Sequence, residues 1–284
     1  MQRWDSFRYD VMLPLTRRSR TLGTLYAKLC AAREWSADRQ RREFTAGRIG
    51  RALGVSRQRA QAIYRRALES EAREEAEVCW LMQHFDQLEK QFAADVSFPR
   101  DGRCIWATLH LGSPILAILY LACVRGMDLE MVGRPLGEGN PMPPAKRGWG
   151  KRKVEWLEGI TRKSIFGVSA EATAIVRSRV LHGASLFVLM DVPGDVVARS
   201  VVIDLFGERI RIAAGVFVLA RMLGVPIRPI VAVSRGGRTM LRYGNLIEPV
   251  GNGIPSDAIA REMGTLVREL ADEWWMWPYL PEAP

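Results

Sequence analysis

The chain is predicted to be an α/β protein, with a mixed central sheet flanked by helices and a helical N-terminal region. Three observations carry that prediction. From Asp10 to about Asp95 apolar residues recur only at helical spacing. After Arg103 short apolar runs of strand length alternate with helical segments. A hydrophobic content of 48% over 284 residues is enough to bury a full core. The expected division is a helical region at residues 1–98, packed on the core, and an α/β domain at 99–284.

In order, helices are expected at Leu22–Ala32, Phe44–Leu53, Arg57–Ser70 and Glu71–Phe92, the last two joined by charged residues on one face and readable as one. Gly54 can stop one helix and Ser56 can cap the next. Arg48 to Arg66 therefore also looks like a helix-turn-helix with a basic second helix, which alone would suggest DNA. The other reading is two helices packed on the rest of the protein. Phe98-Pro99-Arg100-Asp101-Gly102 closes the region with turn chemistry.

Strands are then expected at Arg103–Leu109, Leu129–Val132, Ser185–Met190, Val201–Leu205 and Ile227–Val233, with Arg238–Tyr243 returning as a hairpin partner. Helices are expected at Pro114–Val124, Lys151–Leu157, Ala170–Leu181, Ala213–Leu223 and Asp257–Trp274. Such alternation puts a ligand site at the strand ends.

Composition narrows the function. No uncharged apolar run reaches the roughly 18 residues of a membrane span, and the N-terminal residues lack the plan of a secretory signal, so a cytoplasmic location is expected, with at most peripheral membrane contact. Cys30, Cys79, Cys104 and Cys123 are widely spaced, and His84, His110 and His182 are scattered; neither set suggests a metal site, a disulfide framework or a cofactor. A formal charge of +10 implies attraction to something acidic: an acyl carrier protein, coenzyme A, an RNA or an anionic membrane.

Ala107-Thr108-Leu109-His110-Leu111-Gly112-Ser113-Pro114 places a histidine where a buried strand breaks into a helix. Gly112 gives a turn, Ser113 can cap, and Pro114 fits the first helical position. His110 is the candidate general base, and the backbone N–H groups around Gly112 are candidates for holding an oxyanion. This segment resembles the histidine signature of the bacterial lysophospholipid acyltransferase superfamily, in its lipid A (lauroyl/myristoyl) acyltransferase branch. Further segments resemble the same family in order: Val132-Gly133-Arg134-Pro135, Arg152, Leu186 to Asp191, Asp204 to Arg209, Gly224 to Pro229 and Trp274-Trp275-Met276-Trp277. The resemblance implies an acyltransferase-like fold and the movement of an acyl group from a thioester on acyl carrier protein or coenzyme A to a hydroxyl or amine. Arg134, Arg152 and Gly112 would then bind substrate.

The sequence departs from the family at one position. Five residues after its histidine the family carries an Asp or Glu, and this chain has Ile115. The orienting role could fall to Ser113, to Asp191, to a carboxylate such as Glu171, or to none, since a free imidazole is already mostly neutral near pH 7. Two alternatives follow: aminoacyl transfer from aminoacyl-tRNA to a small amine or hydroxylamine, or a non-catalytic member that binds nucleic acid or lipid.

Overall fold

The computed structural model describes residues 2–93, 98–99, 102–133, 136–137, 142–167, 169–193, 199–251 and 253–279. Its centre is a six-stranded sheet built from β1 (Ile105–Thr108), β2 (Leu129–Val132), β3 (Ile165–Phe166), β4 (Ser185–Leu189), β7 (Ile227–Arg235) and β8 (Arg238–Tyr243). The order across the sheet is β3-β2-β4-β1-β7-β8. All neighbours are parallel except β7 and β8, which form an antiparallel hairpin.

Near-continuous apolar strands are what a sheet covered on both faces requires. Side-chain alternation sorts them. Ile105, Ala107, Leu186, Val188, Val231 and Val233 enter one core with the helices Ala170–Leu181, Gly215–Leu223 and Ser256–Glu269. Trp106, Phe187, Ile230 and Ala232 enter a second core on the other face, with the helix Pro114–Leu119 and Leu157 of the helix Pro144–Thr161.

The N-terminal region is helical, as expected, and its spine is one helix, Arg57–Leu81. At 25 residues it is roughly 37 Å long. Helices Arg20–Ala37 and Arg39–Leu53 pack on it. Ala46, Ile49, Ala60, Ile63 and Tyr64 lie in the same core as the sheet residues, so the segment resembling a helix-turn-helix packs against the rest of the protein. Gly54 ends the first of these helices at φ +65°, and the Ser56 hydroxyl accepts the Arg59 amide at 3.3 Å.

Several boundaries differ from expectation. Residues 2–18 are helical, including a π-helical stretch at Phe7–Met12, whereas the first helix was expected only at Leu22. The expected helix Glu71–Phe92 stops at Leu81, and Asp257–Trp274 stops at Glu269. Lys151–Leu157 grows to Pro144–Thr161 because burial of Trp149 and Leu157 outweighs the low helix propensity of Gly148 and Gly150. The expected strand at Val201–Leu205 is β5 (Ser200–Leu205), which lies outside the central sheet. Among the described residues it pairs only with β6 (Glu208–Ala213), a strand hidden by its alternating charges, through the two-residue turn Phe206-Gly207.

Among the described residues no helix is long and apolar enough to cross a membrane, and no group of His, Cys, Asp and Glu could hold a metal ion. None of the four cysteines is in a disulfide.

Candidate active site

β1 and β4 are parallel neighbours in which Ile105 faces Leu186 and Thr108 faces Leu189. His110 and Asp191, two residues past those strand ends, keep the same offset of 81 positions. Register therefore brings them together. The Asp191 carboxylate takes the His110 backbone N–H on Oδ2 at 2.7 Å and meets the ring Nδ1 with Oδ1 at 2.9 Å. A carboxylate only accepts, so Nδ1 carries a proton, and in the neutral ring Nε2 presents its lone pair.

A third donor comes from the far end of the chain. The Trp274 indole N–H donates to Asp191 Oδ2 at 2.9 Å, and Asp191 is fully buried. With three N–H donors the carboxylate is satisfied without contact with water. The His110 side chain stays 22% exposed, and Nε2 makes no hydrogen bond among the described residues. Its ring meets Trp275 edge to face, with centroids 5.1 Å apart.

The tryptophan segment is fastened to the histidine loop along its length. The Trp275 amide donates to the His110 carbonyl at 3.1 Å, the Gly112 amide donates to the Glu273 carbonyl at 3.0 Å, and the Trp275 indole donates to the Gly112 carbonyl at 3.3 Å. Glu273 is itself held by the spine helix: its carboxylate accepts from the Ser70 hydroxyl at 2.6 Å and pairs with Arg73. Burial raises the Glu273 carboxyl above the ordinary range while Arg73 opposes the rise.

These contacts correct two assignments. Gly112 was expected to offer its amide to an oxyanion, but that N–H is engaged by Glu273, and the Ser113 N–H donates to the Ala232 carbonyl at 2.8 Å. Gly112 serves the turn instead, at φ +63°. Ser113, a catalytic candidate, is a helix cap: its hydroxyl accepts the Leu116 amide at 3.2 Å. Glu171 is exposed in the first turn of its helix and makes no hydrogen bond or ion pair with His110 or Asp191 among the described residues.

Ile115 has become packing. It is half-buried between the core that covers the sheet and a third cluster formed by Tyr9, Leu13, Tyr26, Ala27 and Cys30 with the spine helix. Arg152 is exposed over Trp149 at 6.0 Å, without contact with the His110–Asp191 pair among the described residues. Arg134 lies outside the described residues. What sequence reasoning missed is the role of Trp274; nothing in a Trp-Trp dipeptide announces a hydrogen bond to a carboxylate 83 residues away.

The site is thus a histidine with a buried carboxylate on one ring nitrogen and the other nitrogen open, arranged for taking and returning a proton. The chain matches no protein-family model and no curated protein.

Proposed function

We propose that the protein is an acyltransferase in which His110 is the general base and Asp191 its orienting acid, moving an acyl group from a thioester to a hydroxyl or amine. The observation that carries this reading is the Asp191 clasp on both the backbone and the Nδ1 of His110. It fixes the tautomer that makes Nε2 a base, and it stabilises the imidazolium formed when Nε2 takes the acceptor's proton. The deprotonated acceptor attacks the thioester carbonyl, the C–S bond breaks, and His110 returns the proton to the leaving thiolate.

The ordered resemblance from the histidine segment to the terminal tryptophans supports the choice of acyl transfer among the reactions such a pair can serve. Retention of a working orientation, despite Ile115, favours a live site over a retired one. Acyl carrier protein and acyl-coenzyme A are the donors to try, since both are acidic and the chain carries +10.

The test is thiol release from acyl carrier protein or coenzyme A thioesters in the presence of hydroxyl and amine acceptors. His110→Ala is expected to fold normally, because the side chain is partly exposed at a strand end, and to lower turnover by about 10²–10⁴-fold. A folded His110→Ala protein with full activity would end the proposal.

A further inference from the structure

Between Arg39 and Arg66 stand nine arginines, no lysine and one acid, Glu43, so nine positive charges against one negative leave +8 of the chain's formal +10 on 28 residues. This is the segment that resembles a helix-turn-helix. Its inner face is taken up by packing, through Ala46, Ile49, Ala60, Ile63 and Tyr64. On its outer face Arg39, Arg51, Arg57, Arg59, Arg65 and Arg66 are exposed. Along the spine helix Arg59, Ala62 and Arg66 keep the three-four spacing of a single stripe.

The acids that reach these arginines do not neutralise them, because each is shared between two. Glu43 pairs with Arg57 and, at 3.8 Å, with Arg42. Glu208 pairs with Arg51 at 3.1 Å and Arg48 at 3.4 Å, and Asp272 with Arg66 at 3.3 Å and Arg235 at 3.2 Å. A positive surplus is left at all three places. Aromatic rings are interleaved with it. The Phe44 ring, 55% exposed, lies under the Arg48 guanidinium at 5.2 Å, the Tyr279 ring under Arg41 at 4.6 Å, and the Trp35 ring under Arg42 at 5.1 Å. Beside Phe44 an open groove of about 510 Å³ is floored by Ala46, Gly47 and Gly50 and edged by Glu43, Arg51 and Arg57.

We propose that this face binds single-stranded RNA, the arginines taking phosphates, Phe44 offering a stacking face to a base and the groove admitting one. Arginine forks suit phosphate oxygens two at a time. A duplex keeps its bases stacked on one another and has none to place in the groove. A protein partner needs an apolar centre, and among the described residues Phe44 is the only large apolar side chain exposed between Arg39 and Arg66. Glu43, at the groove, supplies an acceptor for a 2′-hydroxyl, which DNA lacks. The C-terminal segment joins this face to the candidate active site: Trp275 meets the His110 ring, the Trp277 carbonyl accepts from Arg48 at 3.3 Å, and Tyr279 lies under Arg41.

The proposal does not depend on the chemistry at His110, and its test reads binding alone. Full-length protein is titrated into a fluorescein-labelled single-stranded RNA of mixed sequence, about 16 nucleotides long, and anisotropy is followed. DNA of the same sequence and the RNA annealed to its complement are run beside it. The single-stranded RNA should bind at least about fivefold more tightly than either. If about four phosphates are neutralised, a fourfold rise in salt should weaken binding about fiftyfold. Arg59→Glu with Arg65→Glu should weaken it at least about tenfold. Phe44→Leu should weaken it about tenfold, while Phe44→Tyr leaves it unchanged, because the ring and not its apolarity does the stacking. These side chains are all exposed, so far-UV circular dichroism should not change. Lys151→Glu with Arg177→Glu, the same charge change on exposed positions of two helices that flank the sheet, should matter less than about threefold. Four results would overturn the proposal: no RNA binding by the parent protein, whether or not it holds an acidic protein such as acyl carrier protein; equal or tighter binding of the duplex or the DNA; equal losses from the two charge-reversed pairs; or full binding by Phe44→Leu.

Discussion

Asp191 is asked to do three things with two oxygens: hold the His110 backbone, fix its ring and anchor Trp274. Asparagine keeps the shape but replaces one acceptor oxygen with an N–H₂ group, which must then face a donor inside a dry site. Asp191→Asn is accordingly expected to cost about 1–3 kcal/mol in denaturant unfolding, the penalty for an unpaired buried polar group. It should also lower turnover by a factor comparable to His110→Ala, because Nδ1 loses its acceptor and the tautomer is no longer fixed. If activity survived while stability fell, Asp191 would be a structural anchor only. At this scale the sequence showed His110 and offered Asp191 as one of several replacements for the absent acid. It could not choose among Ser113, Asp191 and Glu171, because the choice depends on strand register across 81 residues, a non-local fact.

The elements around the site are tied by one residue with no side chain. A Cβ built on Gly112 would stand 2.2 Å from the Ala232 carbonyl oxygen, which is the oxygen that accepts the Ser113 amide. The clash is with backbone in β7, so no side chain can move aside. Gly112 also has φ +63°, a left-handed conformation that L-residues adopt at a cost. Gly112→Ala should therefore push the turn away from β7, with a loss on the order of 3 kcal/mol and loss of turnover together. A stable, active Gly112→Ala would mean that β7 yields easily and that the turn does not set the position of His110. Elements with clean periodicity, such as β1, β4, β7 and the helix after Ser113, were legible in advance. The strand β6 and the helical turns at residues 2–18 were not: charges alternate through the first, and a proline with arginines interrupts the second, so tertiary burial decided what propensity left open.

The whole molecule is held across its halves by a buried ionic layer. Helix Pro144–Thr161 belongs to the α/β part of the chain, yet Lys146 pairs with Glu71 at 2.7 Å and Lys153 with Glu74 at 3.3 Å, both acids on the spine helix. Beside them Glu75 accepts from Arg8, Tyr9 and Tyr26 at 2.7–2.8 Å. Burial alone would raise the Glu71 carboxyl, but Lys146, then Arg8, outweighs it and brings it from 4.5 down to about 2. The sign follows from proton counting. Between about pH 2 and 4.5 the unfolded chain binds more protons at Glu71 than the folded one, so the stabilisation is complete above 4.5 and is lost as pH falls through about 2. Lys146→Met keeps most of the aliphatic stem and leaves Glu71 buried without its nearest cation. The expected loss at neutral pH is about 3 kcal/mol, the low end for breaking a buried pair, because Lys146 itself is 32% exposed. In the variant the Glu71 carboxyl should shift upward, so that its protonation relieves the folded state on acidification. The gap between parent and variant, measured by denaturant titration followed both by circular dichroism and by tryptophan fluorescence, should thus narrow toward about pH 3. The two probes should also report one transition, since helix and sheet share a core as well as this layer. A gap that stayed constant with pH would show that the Lys146 charge does not act through the ionisation of Glu71, and that the charge on Glu71 is held by its other neighbours.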